Sequence, residues 1–253
     1  MNKIFHYLQI MIYVITSKLK RNKVENKTNK ILIILDQFGV GDAVCALDAF
    51  YNLSKYMQNN FELYIASTPP VINFLKQTKS TFNAHIITLN LDKKDKIKLK
   101  IFQDNLTKLN LHHWCEIIFL NRFGLYLSLL MLLCHTDKII CGEYDEQDIG
   151  LLERYIKNHF LNTFPIYTHS TDFIMNTYEK IAKYAICTLV NSKQNILYEF
   201  YKIPKLLKGN LSYNPNYCII SANIAVQRNH PFSFRKWPLD RFVKICDFII
   251  EIG

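Results

Sequence analysis

No two of the seven cysteines, at positions 45, 115, 134, 141, 187, 218 and 246, form a C-x-x-C pair. An odd, scattered set excludes a complete disulfide framework and leads us to expect reduced, mostly buried thiols in a cytosolic protein. Neither of the two most apolar stretches is long enough to span a bilayer. Ile4–Ile15 is interrupted by His6 and Gln9, and Leu125–Cys134 reads as a buried helix. The order of a signal peptide is missing too. The basic residues Lys18, Lys20, Arg21 and Lys23 follow the apolar stretch instead of preceding it, and no small-residue cleavage site is visible. Acidic residues are in deficit: 31 Lys and Arg against 21 Asp and Glu leave a net charge of +10. That excess favours anionic partners such as phosphates, nucleic acid or an acidic membrane surface. Part of it is Lys in an Asn-, Ile- and Lys-rich sequence, a bias that genome composition also produces.

What is present is apolar: 49% of 253 residues, enough for one large domain or two small ones. The organising stretch is Ile31–Tyr56, ILIILDQFGVGDAVCALDAFYNLSKY. Ile31 to Leu35 is an unbroken run, too short for a helix and rich in β-branched residues. It predicts a strand buried on both faces of a parallel sheet. Gly39 and Gly41 follow in a short turn. Val44, Leu47 and Tyr51, flanked by Ala43, Ala46, Phe50 and Leu53, then recur at helical spacing. Strand, Gly-containing turn and helix open a doubly wound α/β domain, whose ligand crevice lies beyond the carboxyl ends of the strands. The dinucleotide fingerprint is incomplete, because position 44 is Val where a third Gly belongs. Asp42 has two readings. It is a first-turn carboxylate that stabilises the helix dipole, or a general base at the crevice mouth.

Residues 1–30 precede this unit. They read either as an interfacial helix with its Lys and Arg on anionic head groups, or as a helix packed on its own domain with a solvated basic tail. Asn22–Lys30 is expected to be a flexible link. Further strands are expected at Phe61–Ala66, His85–Leu89, Glu116–Leu120 and Lys138–Cys141. Helices are expected at Val71–Lys76, from about Ile97 to Leu109, at Leu125–Cys134 and at Thr171–Val190. His112-His113-Trp114-Cys115 lacks a second ligand pair at a usual spacing, so no metal site is expected. The acidic stretch Glu143–Asp148 reads as a solvated loop. Residues 191–215, with Pro204, Gly209 and Pro215, read as an interdomain connection.

A second strand-loop-helix unit begins at Tyr217–Ser221. Arg235 and Lys236 stand just before a helix opened by Trp237-Pro238, with Pro238 suited to its first position. Basic side chains beside open backbone N–H groups make an anion site; the alternative is ordinary surface cations.

Taken together, LDQFGVGDAVCALDAF and RKWPLDRFVKICDFIIEIG resemble glycosyltransferase family 9, the lipopolysaccharide heptosyltransferases and their relatives. HSTDFIMNTYEKIA is similar to the family's helix before its interdomain connection. The resemblance covers about residues 31–253 and implies a GT-B fold with two facing Rossmann-like domains. Here the acceptor-side domain, 31–190, is complete, and the nucleotide-sugar domain, 216–253, is only begun. It also implies metal-independent, inverting transfer of a sugar from a nucleotide-sugar, ADP-heptose-like, to a lipid-linked saccharide acceptor. Residue by residue, Asp42 matches the general base and Gly41 the glycine beside it. Arg235 matches the residue that contacts the donor diphosphate, with Lys236 adjacent. No metal or other cofactor and no nucleic acid are implied. An anionic membrane surface is the expected partner of residues 1–30, on the cytoplasmic face of the inner membrane. The 30-residue extension and the short donor half depart from the family. The departures leave open an inactive remnant or a membrane-surface binding module. A nucleotide-binding oxidoreductase is disfavoured by the missing third Gly and by Ala66-Ser67 where a ribose-binding acid is expected.

Overall fold

The computed structural model describes residues 2–19, 28–36, 40–78, 83–91, 98–144, 150–168, 174–190 and 197–199. The chain divides at Leu207 into two units, and every described residue belongs to the first.

Six strands form one sheet: β1 (Lys30–Leu35), β2 (Glu62–Ser67), β3 (His85–Thr88), β4 (Trp114–Phe119), β5 (Thr136–Tyr144) and β6 (Thr163–Thr168). The order is β3-β2-β1-β4-β5-β6 and every pairing is parallel. Among the described residues seven helices accompany them: α1 (Asn2–Leu19), α2 (Val40–Met57), α3 (Pro69–Thr78), α4 (Leu99–Leu109), α5 (Leu125–Met131), α6 (Leu151–Phe160) and α7 (Ile174–Leu189). This is a Rossmann-like α/β domain with helices on both faces.

The apolar run of β1 is explained by its central place. Successive side chains of a strand point to opposite faces. Ile31, Ile33 and Leu35 enter the core under α2, α3 and α7, while Leu32 and Ile34 enter the core under α1, α4, α5 and α6. Both faces are dry, so no polar residue is tolerated between Ile31 and Leu35. On α2 the buried positions are Ala43, Ala46, Leu47, Ala49, Phe50, Leu53 and Met57. Val44, expected in that stripe, is 44% exposed instead. The small residues at 43, 46 and 49 let α2 lie close to α7, which buries Tyr178, Ile181, Ala182, Ala185 and Ile186 against it.

The edge strand β6 and helix α6 were not expected. β6 carries Pro165, which has no N–H for a further ladder and suits an edge. Its Phe164 and Tyr167 are exposed, so the sequence lacks the apolar run that marks a buried strand. The supposed link before β1 is anchored at its end: Thr28 Oγ1 donates to His113 O at 2.7 Å.

Helix α1 packs on its own domain through one face and leaves a second apolar face uncovered. Ile10 and Val14 are buried against α4 and α5, while Phe5, Leu8, Ile12 and Ile15 remain exposed. No described helix is long and apolar enough to cross a membrane.

Candidate active-site crevice at the carboxyl edge of the sheet

The chain builds outward from β1 to β3, returns to place β4 beside β1, and continues to β6. The strand order therefore reverses between β1 and β4. In an open α/β sheet, the loops leaving two adjacent strands in opposite directions open a crevice at that point. Here the crevice is bounded by the segments that leave β1 after Leu35 and β4 after Phe119.

On the β1 side stands Asp36, half-buried, and then the first turn of α2, which contains Gly41 and Asp42. This puts Asp42 just beyond the carboxyl end of the central strand, at the positive end of the α2 dipole. The side chain of Asp42 lies outside the described residues. So do Arg235, Lys236 and Tyr217–Ser221, where the sequence predicts a strand.

The β1 and β2 ends are locked together. Ser67 Oγ donates to Leu35 O at 2.6 Å, and Leu89 N donates to Ser67 O at 2.9 Å. Beyond β3, Asn90 N donates to Asn105 Oδ1 at 2.9 Å. Asn105 Nδ2 donates to Asn90 O at 2.7 Å and to Tyr126 Oη at 3.0 Å. Burial pushes the Tyr126 phenol up to about 12; the Asn105 contact opposes this, and the nearby charge of Asp36 adds to it. Tyr126 is therefore a neutral hydroxyl at any physiological pH, with a carboxylate close by. Nothing in the sequence marks Asp36, because a lone acid after a strand has no pattern around it.

On the β4 side, Leu120 N donates to Ile34 O at 3.1 Å and carries the ladder one residue past the strand. Asn121 and Arg122 follow, with Arg122 N donating to Asn121 Oδ1 at 2.8 Å. Arg122 belongs to a quartet of buried charges. Its Nε lies 3.4 Å from Glu143 Oε1, and a terminal guanidinium nitrogen donates to Glu153 Oε1 at 3.1 Å. Lys157 Nζ lies 3.5 Å from Glu143 Oε2 and 2.9 Å from Glu153 Oε1, and 4.4 Å from the centre of the Phe123 ring. The side chains are only 6–17% exposed. Two cations alternate with two anions, so the group is neutral and desolvation is offset from every side. This corrects the reading of Glu143 as part of a solvated loop: it is 6% exposed and lies in β5. Its partners come from the loop after β4 and from α6, so no spacing in the sequence announces them. The quartet fixes Arg122 at the rim of the crevice.

The histidines at 112 and 113 sit at the opposite, amino edge of the sheet. His112 Nδ1 is 3.1 Å from Lys30 Nζ, and its ring lies 4.8 Å from that of Tyr64. His113 Nε2 is 3.7 Å from Asp137. Among the described residues, no three His, Cys, Asp or Glu side chains are grouped to hold a metal ion.

No protein-family model matches the chain, and no curated protein matches it. Solved structures do. The glycosyl transferase family 9 protein from Veillonella parvula is similar over 91% of this chain and 63% of its own, with a TM-score of 0.55 and 13% identity. The fold is like that of glycosyltransferase family 9. Two structures of E. coli heptosyltransferase WaaC are also similar. The one with ADP has a TM-score of 0.47 and 10% identity, over 61% of this chain and 47% of that one. The one with ADP-2-deoxy-2-fluoro heptose has 0.48 and 10%, over 66% and 51%. The chain thus spans between about half and two thirds of the length of these relatives.

Proposed function

We propose that the chain belongs to an inverting glycosyltransferase of the heptosyltransferase type. It would move a sugar from a nucleotide-sugar, ADP-heptose-like, to a lipopolysaccharide or related glycolipid acceptor. The observation that carries this reading is the position of Asp42. In a sheet folded like family 9, it stands in the first turn of the helix that leaves the central strand at the switch point.

In this reading Asp42 accepts the proton of the acceptor hydroxyl as its oxygen attacks the anomeric carbon. The bond from that carbon to the diphosphate breaks on the opposite face, which inverts the centre. Negative charge grows on the leaving diphosphate, and Arg235 and Lys236, before the helix that the sequence predicts from Pro238, would stabilise it. Gly41, lacking a side chain, leaves room for the acceptor. In this reading the transfer needs no metal, as the family resemblance implies.

The test is transfer by the protein that contains this chain, read as ADP release from ADP-heptose in the presence of a deacylated glycolipid acceptor. Asp42→Asn is expected to lower kcat by roughly 10²–10⁴-fold with unchanged thermal unfolding, the range for a general base. Arg235→Ala is expected to weaken ADP-heptose binding. Undiminished transfer by Asp42→Asn would remove the assignment. Acceptor binding without any transfer by the wild type would favour a binding module instead.

A further inference from the structure

Helix α1 has two apolar faces, and the domain covers only one of them. Ile10 and Val14 are 0% and 3% exposed, with Tyr7, Met11 and Tyr13 packed beside them. Tyr13 meets Phe102 of α4 edge to face, with ring centres 6.2 Å apart. This face holds the helix to the body. Phe5, Leu8, Ile12 and Ile15 are 58%, 52%, 55% and 57% exposed. At 3.6 residues per turn these four fall within about 80° of arc, as a stripe roughly 15 Å long on the side away from the anchoring face. Isolated exposed apolar residues are ordinary, but an aligned row of four large ones marks a surface that something covers.

The charge of the same segment says what kind of surface covers it. Before Glu25 the sequence contains Lys3, Lys18, Lys20, Arg21 and Lys23 and no acidic residue at all. An apolar stripe followed directly by cations, without a single carboxylate, matches an anionic bilayer surface. Apolar side chains enter the boundary between head groups and acyl chains, and Lys and Arg meet the lipid phosphates. A second copy of this chain would bring the same cations against themselves.

We propose that α1 is an interfacial anchor. Phe5, Leu8, Ile12 and Ile15 insert into the head-group boundary of an anionic membrane, and Lys18, Lys20, Arg21 and Lys23 bind its phosphates. Because Ile10 and Val14 tie the helix to the folded body, the anchor holds the whole domain at the surface and not a loose tail. This inference is independent of sugar transfer; it stands on the helix alone.

Flotation of the full chain with vesicles of equimolar phosphatidylcholine and phosphatidylglycerol tests it, with vesicles of phosphatidylcholine alone as the second arm. The wild type is expected to float with the anionic vesicles and to be released from them by high salt, which screens the cations. Leu8→Asp/Ile12→Asp is expected to bind at least about ten-fold more weakly, because each charge must stay in water. Lys20→Gln/Arg21→Gln/Lys23→Gln is expected to lose roughly a hundred-fold at low salt, about five-fold per cation. Tyr155→Asp, at an exposed apolar position of α6, is expected to bind like the wild type. Circular dichroism confirms that each variant is folded. Should the aspartate pair not fold, Leu8→Gln/Ile12→Gln replaces it. Failure of the wild type to float, or equal flotation of a folded stripe variant, would overturn the proposal. So would a wild-type dimer that the stripe variant dissociates without any vesicle binding, which would assign the stripe to a second copy.

Discussion

The side-chain amide of Asn52 pairs with both backbone groups of Glu199: Nδ2 donates to Glu199 O at 2.8 Å, and Glu199 N donates to Oδ1 at 3.0 Å. Around this clamp, Tyr56 Oη donates to Leu197 O at 2.9 Å and Lys55 Nζ lies 2.6 Å from Glu199 Oε1. The segment after α7, read from sequence as an interdomain connection, is thus tied to α2 at 197–199. Asn52 itself is fully buried.

Replacing Asn52 by Leu leaves the two Glu199 backbone groups to find other partners. A cost of about 1–3 kcal/mol is expected, the range for buried polar groups that lose theirs. Urea unfolding measures it. Limited proteolysis between 191 and 207 should accelerate in the variant. Unchanged stability and unchanged cleavage would mean that the clamp holds nothing.

The charge quartet makes a prediction about coupling. Lys157→Met removes a cation from both Glu143 and Glu153, and a loss of about 3–5 kcal/mol is expected. Adding Glu153→Leu restores neutrality, so the double variant should be more stable than the sum of the two single losses by roughly 1–3 kcal/mol. A double-mutant cycle in urea reads this directly. Simple additivity would show that the four groups act independently.

Gly142 permits the loop that carries Arg122. A Cβ at this position would stand 3.2 Å from the carbonyl carbon of Asn121, 3.3 Å from Arg122 N and 3.1 Å from Ile181 Cδ1. Two of these neighbours are backbone and cannot swing aside. Gly142→Ala is expected to cost about 1–3 kcal/mol, as overpacking does, and to lower the thermal midpoint. An unchanged midpoint would mean that the 121–122 loop shifts at no cost.

Glu116 gives the pH dependence. Burial pushes its carboxyl up from 4.5 to about 7, with Lys138 Nζ at 3.7 Å opposing that rise. Between those two values the folded chain holds a proton that the unfolded chain has released. Stability from this group is therefore present at low pH and falls as pH rises to about 7, by roughly 3 kcal/mol. Glu116→Gln removes the titration. The variant is expected to match the wild type near about pH 4.5 and to exceed it near about pH 8. Parallel stability curves for the two proteins would refute the shift.

The apolar runs of β1 and β2 and the stripe of α7 were legible because each is buried by neighbours on every relevant side, so composition alone reports their environment. β6 was not. An edge strand is half exposed, and Thr163-Phe164-Pro165-Ile166-Tyr167 has neither an unbroken apolar run nor a clean alternation. Val44 failed for a related reason: helical spacing says which residues share a face, and not where the covered arc ends.

The backbone position of Asp42 was legible because β1 and the first turn of α2 are close in sequence, and chain order alone carries residue 42 to the end of the central strand. The Arg122–Glu143–Glu153–Lys157 quartet and the Asn90–Asn105–Tyr126 chain were decided only by the tertiary structure. Their members come from separate strands, loops and helices. A charged residue reads as solvated until folding brings the partners that make its burial affordable. Local sequence determined the buried strands, the place of Asp42 just after the first of them and the apolar character of α1. Long-range packing determined which charges are buried and which face of α1 is left uncovered.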